Sequence, residues 1–393
     1  MVGDQHKSNS NMQQEPILRA KKCLQFERRN AFYEEDCEMP RTIRNIGFAV
    51  LLVVAASAIA IFAPKMILSA GKSQGDATAT GKSAQYFIYD VQTSKLPREM
   101  TNRLEEARRK GQYSIEATRL VNLNTTRAEG APYLDFVWFW KGSAQIYGEQ
   151  EHVHDFDEFI GFIGTKGPEN PRDLGGEMEV WLGGEKYLIT KSCLIYVPAG
   201  LRHCPIKYKR IDTPILFFSG GMATKYSVTP TEFNDDKSDE RKYAKYISYD
   251  VNPNKVSPEA MKRWEEIHKR TGSTVQSTRL LDLDGIEGSP YVDFVWLWKG
   301  SEHGPNHEEH SHDWGEVFGF IGTKGPENPR DLGGEIELWL DGEKNLVTKS
   351  CLVWVPPGMK HCPLQFNRID SPILLFTIGM TRQYTLTPSK PKQ

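Results

Sequence analysis

The stretch EHVHDFDEF, residues 151–159, sets two histidines one residue apart and places a glutamate four residues after the second. It returns as EHSHDWGEV at residues 309–317. In an extended chain residues i and i+2 share a face, so His152 and His154 point the same way, as do His310 and His312. Glu158 and Glu316 stand at the head of the next apolar run, where a turn brings each back beside its pair. A further histidine closes VPAGLRH (197–203) and VPPGMKH (355–361), so His203 and His361 are placed by a proline–glycine turn. Two imidazoles, a carboxylate and a third imidazole meeting at one point make a site for a divalent transition metal, Mn, Fe, Ni, Co, Cu or Zn. On an octahedral ion such a set leaves positions open for substrate, water or O₂.

Working outward, the two stretches belong to one unit written twice. YFIYDV (86–91) returns as YISYDV (246–251), and DFVWFWKGS (135–143) as DFVWLWKGS (293–301). GFIGTKGPENPRDLGGE at 161–177 returns letter for letter at 319–335. A period of that length means two tandem domains of one fold, at 85–228 and 243–387, with a charged connector at 229–242. A pseudo-twofold axis is expected between them. Each copy opens with an amphipathic helix, bracketed by Pro97 and Gly111 around Met100, Leu104 and Ala107. Pro258 and Gly272 bracket Met261, Trp264 and Ile267 in the same way. Short alternating runs such as YLDFVWFWK, EFIGFIG and CLIYVP follow, punctuated by Gly, Pro and Asn, and predict the strands of a sandwich or barrel. The expected class is all-β.

The first 84 residues read differently. Residues 1–45 form a polar tail without period. Residues 46–63, IGFAVLLVVAASAIAIFA, carry no charge, and as a helix they would run roughly 27 Å, enough for a transmembrane helix. Residues 64–84 then form a flexible linker. Arg28, Arg29, Arg41 and Arg44 before the span outweigh Lys65, Lys72 and Lys82 after it, which predicts a single-pass protein with a cytoplasmic tail and the domains outside. SAIA at 57–60 leaves signal cleavage and secretion open as the alternative. Elsewhere the chain is 39% apolar and 25% charged with a net charge of −2, which argues against nucleic acid as a partner.

At the histidines the sequence resembles the cupin superfamily, and its two copies look like a bicupin. The family's first motif, a glycine, five residues, HxH, three or four residues and Glu, fits Gly304, His310, His312 and Glu316. The first copy keeps His152, His154 and Glu158 but has Ile146 at the glycine. The second motif fits Pro198, Gly200 and His203, then Pro356, Gly358 and His361, with Ser192 and Ser350 replacing its leading glycine and Lys207 and Gln365 its trailing asparagine. The resemblance implies two double-stranded β-helix (jelly-roll) barrels, each preceded by a short helix, with a His₃Glu metal set in each. Drift between the copies supports the ligand assignment. Val153 corresponds to Ser311, Phe156 to Trp314 and Leu201 to Met359, while the ligand types stay fixed.

Bicupin dioxygenases and oxalate decarboxylase, in the same superfamily, imply a metal-dependent oxidoreductase or lyase acting on a small polar or carboxylate substrate. The second reading is a non-catalytic metal or small-molecule binding module, and the third a structural barrel. No separate catalytic acid or base is named by the sequence, and a homo-oligomer is left open. Other features are given bland readings. The TKGPENPRDLGG loop, with Arg172 and Arg330, is expected to turn or to touch the other domain rather than to clamp a substrate. Arg202 and Lys360 are expected at a solvated rim, and Trp138, Trp140, Trp296 and Trp298 in packing. Alternation turns Cys204 and Cys362 away from the metal, where pairs Cys193–Cys204 and Cys351–Cys362 would suit an exterior compartment. His303 and His307 occur in the second copy alone and hint that the two sites differ.

Overall fold

The alternating runs become strands. The computed structural model describes residues 81–92, 98–236, 240–253, 258–304 and 307–389. The expected tail, the membrane span at 46–63 and nearly all of the linker lie outside them. Among the described residues no helix is long and apolar enough to cross a membrane.

The first repeat contains β1 (Phe87–Ile88), helix α1 (Arg98–Arg109), β2 (Glu116–Leu123), β3 (Tyr133–Lys141), β4 (His152–Val153) and β5 (Glu158–Gly164). It continues with β6 (Asp173–Leu182), β7 (Glu185–Lys191), β8 (Cys193–Val197), β9 (His203–Ile211), β10 (Ile215–Gly221) and β11 (Thr229–Pro230). The second repeat follows the same order. Its elements are β12 (Ile247–Ser248), α2 (Pro258–Thr271), β13 (Gln276–Asp282), β14 (Tyr291–Lys299), β15 (His310–Ser311) and β16 (Glu316–Gly322). They end with β17 (Asp331–Leu340), β18 (Glu343–Lys349), β19 (Cys351–Val355), β20 (His361–Ile369), β21 (Ile373–Gly379) and β22 (Thr387–Pro388). Both helices stop where sequence placed a glycine, Gly111 at φ 67° and Gly272 at φ 57°, the left-handed backbone that closes a helix. Leu104 and Ala107 are buried as the helical spacing predicts.

Each barrel consists of a six-stranded and a five-stranded antiparallel sheet, and the all-β class holds. In the first barrel the orders are β12-β8-β5-β10-β3-β2 and β11-β4-β9-β6-β7. Successive strands from β3 to β10 thus cross between the sheets, apart from the β6–β7 hairpin, which is jelly-roll topology. The second barrel repeats it as β1-β19-β16-β21-β14-β13 and β18-β17-β20-β15-β22.

One feature of these orders was not legible in the repeat. β1, from the first copy, pairs with β19, and β12, from the second, pairs with β8. Each barrel borrows an edge strand from the other copy, which covers an edge that would otherwise invite pairing with another chain.

Alternation divides the apolar side chains of residues 134–140 between two cores. Val137 and Phe139 fill the interior of the first barrel. Leu134, Phe136, Trp138 and Trp140 face outward into a separate core shared with Phe294, Trp296, Trp298 and Phe376 of the second copy. The tryptophans therefore pack, as expected, but between barrels rather than within one. Within that core four phenylalanines, two from each copy, stack in a closed ring. Phe136 lies 4.9 Å from Phe376 and Phe218 lies 5.0 Å from Phe294, ring centre to ring centre. Gly161 and Gly319 make room for them: a Cβ at these positions would fall 2.0 Å from the Phe218 ring and 1.8 Å from that of Phe376.

The shared loop proves to be an interdomain device. Arg172 pairs with Asp250 beside β12. Arg330 donates to the carbonyls of Tyr89 and Leu120 at 3.2 and 3.3 Å.

Candidate metal centre

The third histidine reaches the first two through backbone pairing. His152 on β4 stands directly opposite His203 on β9, and His310 opposite His361. The proline–glycine turn is pinned to the same strand: Gly200 N–H donates to His154 O at 2.9 Å, and Gly358 N–H to His312 O at 2.7 Å. Gly200 sits at φ 79° and Gly358 at φ 80°, a conformation glycine adopts without strain. Where the family motif would have a leading glycine, the Ser192 hydroxyl accepts from Gly164 N–H at 2.9 Å, and Ser350 repeats this with Gly322 at 3.0 Å. The departures from the motif leave the turn intact.

All eight expected residues are buried, and they converge in two groups. His152, His154, Glu158 and His203 bring one donor atom each within 4.8 Å of one another, as do His310, His312 and His361 in the second barrel. Glu316 completes the latter, its Oε2 lying 3.4 Å from His312 Nε2 and 3.1 Å from His361 Nε2. In the first barrel Glu158 Oε2 is 3.4 Å from His154 Nε2 and 3.0 Å from His203 Nε2.

The ring nitrogens decide what these contacts are. Each of the six imidazoles places Nδ1 against a backbone carbonyl oxygen, at 2.5–3.1 Å. A carbonyl only accepts, so Nδ1 carries the proton and a neutral ring presents a bare lone pair at Nε2. Nε2 of His154, His203, His312 and His361, with Oε2 of Glu158 and Glu316, is buried without a hydrogen-bond partner. Acceptors crowded at 3.0–3.4 Å in a dry interior repel one another unless a cation lies between them. The donor set fits a divalent transition metal, with three imidazole nitrogens and a carboxylate oxygen per barrel.

With a proton on Nε2 instead, the same contacts become attractive. Burial alone would raise the Glu158 carboxyl, yet His154 and His203 beside it hold it far below the ordinary carboxylate range. Glu316 is likewise lowered to about 2, against burial, by His312 and His361. Burial pushes His152 down to about 3 and lowers His310 as well. A charged carboxylate and neutral imidazoles are the states that bind metal. His152 and His310 are shifted that way, whereas His154, against burial, is shifted upward by Glu158.

Several nearby groups depart from sequence expectation. Cys204 and Cys362 belong to the barrel interiors, not outside them. Each stands at left-handed φ, 68° and 66°, which breaks the alternation that would have turned it outward. Cys193, Cys204, Cys351 and Cys362 are all free thiols, so neither of the two pairings left open by the sequence is formed. His303 and His307, present in the second copy alone, are both exposed. Arg202 pairs with Glu151 at 3.0 Å and Lys360 with Glu309 at 3.4 Å, which leaves both cations at the rim as expected.

Two kinds of residue were missed. Tyr226 and Tyr384, on the segments after β10 and β21, lie 5.1 Å from the rings of His154 and His312. Tyr384 OH also approaches His310 Nε2 at 3.5 Å. Their equal placement in the two copies was the available signal. Glu149 is the other: a carboxylate oxygen of Glu149, a ring nitrogen of His152 and Cys204 Sγ lie within 4.8 Å of one another.

No protein-family model matches the chain, and neither does any curated protein. Similar solved structures include a Lactobacillus farciminis oxalate decarboxylase formate complex, 14% identical, TM-score 0.40, covering 70% of this chain and 85% of that one. A deletion mutant of Bacillus subtilis oxalate decarboxylase is 15% identical, TM-score 0.40, over 70% and 76% of the two chains. A point mutant of the same enzyme is 13% identical with a TM-score of 0.41, over 91% and 88%. Likeness at this level bears on neither activity nor substrate.

Proposed function

We propose that the protein is a two-barrel metalloprotein in which His152, His154, Glu158 and His203, and likewise His310, His312, Glu316 and His361, each hold one divalent ion for oxidoreductase or lyase chemistry on a small polar or carboxylate substrate. The observation that carries the reading is the crowding of bare, buried acceptors at 3.0–3.4 Å in both barrels. A bound ion there would serve as Lewis acid or redox partner for substrate at its open positions. The protein's own contribution is orientation. Backbone carbonyls fix each Nδ1 proton so that every Nε2 faces the centre, and the dry apolar surround raises the electrostatic value of each contact. Anchoring in a membrane through residues 46–63 belongs to the same proposal and rests on that stretch's length without charge.

Elemental analysis of the full chain, purified without chelator, tests it. The expected result is about two ions per chain, falling to about one in His152→Ala and in His310→Ala. Protein that neither carries nor takes up a transition metal would falsify the reading. O₂ uptake or CO₂ release with a panel of small acids and polyols then separates an enzyme from a binding module, which would hold the metal and turn nothing over.

A further inference from the structure

The two copies fasten the turn before the third histidine in different ways. In the second copy the turn reads Pro356, Pro357, Gly358, so its middle position has a fixed φ and no N–H to satisfy. In the first copy that position is Ala199, whose N–H donates to Asp157 Oδ1 at 2.9 Å. The other oxygen of the same carboxylate, Oδ2, accepts from Arg382 at 2.7 Å, and Arg382 belongs to the second copy. The Asp157 side chain is only 14% exposed, so it binds both groups largely out of water. These side-chain links have no counterpart in the other barrel. Gly315 stands where Asp157 would recur, and Thr224 stands in the first copy where the second has Arg382. A Cβ at Gly315 would fall 2.0 Å from the Trp354 ring, whereas the first copy has the smaller Tyr196 at that position. The segment that carries Arg382 is held within its own barrel, where the Trp314 indole donates to Thr385 Oγ1 at 3.0 Å.

We propose that Arg382 of the second barrel is a positioning residue for the first metal centre: through Asp157 it holds the turn that sets His203, while the second centre takes no such support from the first barrel. The proposal rests on the metal reading above and deepens it, since the first centre is then complete only with the second copy in place. Metal affinity follows how firmly the donor atoms are held, and groups that orient a ligand directly are worth about ten- to a hundredfold in affinity. Arg382 acts further out, through a partly exposed ion pair, so its loss should cost about threefold to fivefold. Asp157 carries both contacts, and its removal should cost about tenfold. In the second copy Pro357 supplies by covalent restraint what this polar chain supplies in the first.

The test uses the full chain with cobalt(II) as the probe, its affinity read from the visible spectrum in competition with a chelator. His310→Ala isolates the first site and His152→Ala the second. Arg382→Ala should weaken cobalt binding at the first site about threefold to fivefold and leave the second unchanged. Arg382 is 63% exposed, so its removal opens no cavity. Arg382→Lys should keep most of the affinity, and high salt should narrow the gap between the unsubstituted chain and Arg382→Ala. Ala199→Pro gives the first turn the second copy's own residue, and in that background Arg382→Ala should cost the first site nothing. Cobalt stoichiometry near one in each single-site chain reports that the barrel under study is folded. Should Ala199→Pro fail to fold, the lysine variant and the salt dependence still decide. Equal weakening at both sites, weakening at neither, or a loss that persists beside Pro at 199 or in Arg382→Lys would overturn the proposal while the metal reading stands. Failure of the parent chain to bind cobalt would overturn both, and it is seen before any Arg382 variant is made.

Discussion

The two barrels share topology, ligand geometry and an apolar seam, yet they are unlike at the mouth of the site. Ligand distances agree to about 0.1 Å, 3.4 and 3.0 Å in the first barrel against 3.4 and 3.1 Å in the second. Three residues before the first ligand histidine the resemblance fails, with half-buried Glu149 in one copy and exposed His307 in the other. The difference shows which constraints are strict. Atoms that must meet at a single point tolerate no change, whereas positions that only shape the approach to it are free to diverge into different chemistry.

What is common to both barrels is also where the largest loss is expected. Phe136 and Phe294 are fully buried in the core between the barrels, each stacked on a ring of its own copy and a ring of the other. Phe136→Ala should cost about 3–5 kcal/mol, read from urea unfolding of the full chain, and Phe294→Ala about as much. Because the seam belongs to both copies, either variant should unfold the pair in one transition. Separate transitions for the two barrels would break the picture of a shared core.

Acid should distinguish the copies next. His152 is pushed down to about 3 by burial, so the folded state favours its neutral form more than the unfolded chain does. A depressed folded pKa contributes stability that is complete above the unfolded value of about 6.5 and is lost as pH falls toward 3. Glu316, at about 2, acts in the same direction at lower pH, its contribution fading as pH drops below about 4.5. Glu149, Asp135 and His154 are shifted upward and act in the opposite sense. The His152 contribution is therefore read by difference: metal-free His152→Gln should lose less stability between pH 7 and pH 4 than the unsubstituted chain. Equal losses in the two chains would contradict the assignment.

The ligand sets were legible in the sequence because strand periodicity and a proline–glycine turn are local rules, and local rules alone place His152, His154 and His203. Glu149, Tyr226 and Tyr384 were not, since what makes them matter is a contact made across the fold. The His154 ring is fixed by Ser227 O, 73 residues further along the chain, and no local pattern announces that. Cys204 and Cys362 were misplaced for a sharper reason: a single residue at positive φ reverses the side that alternation assigns. The exchanged strands β1 and β12 are two residues each, too short for any period to show. The β3 alternation was read correctly as one face of tryptophans, but sequence does not say whether the second face of a sheet meets water or another sheet.

The exchange also sets the finest contrast between the copies, in identical loops. Arg330 reaches back to two backbone carbonyls, of Tyr89 and Leu120, in a partly buried setting, and so ties β1 and β2 to the second barrel. Arg172, at the matching position, instead pairs with Asp250, whose side chain is 68% exposed. A hydrogen bond from a charged donor to a sheltered carbonyl contributes about 1.5–3 kcal/mol, while an exposed ion pair contributes under about 1 kcal/mol. Arg330→Ala should thus lower stability by about 2 kcal/mol and Arg172→Ala by less than half of that, compared by urea midpoint at low salt. Arg330→Lys should recover little, because one ammonium does not span two carbonyls as the planar guanidinium does. Equal losses at the two arginines would mean that the borrowed strands are held by pairing alone, and that the loop's identity in both copies reflects nothing about the seam.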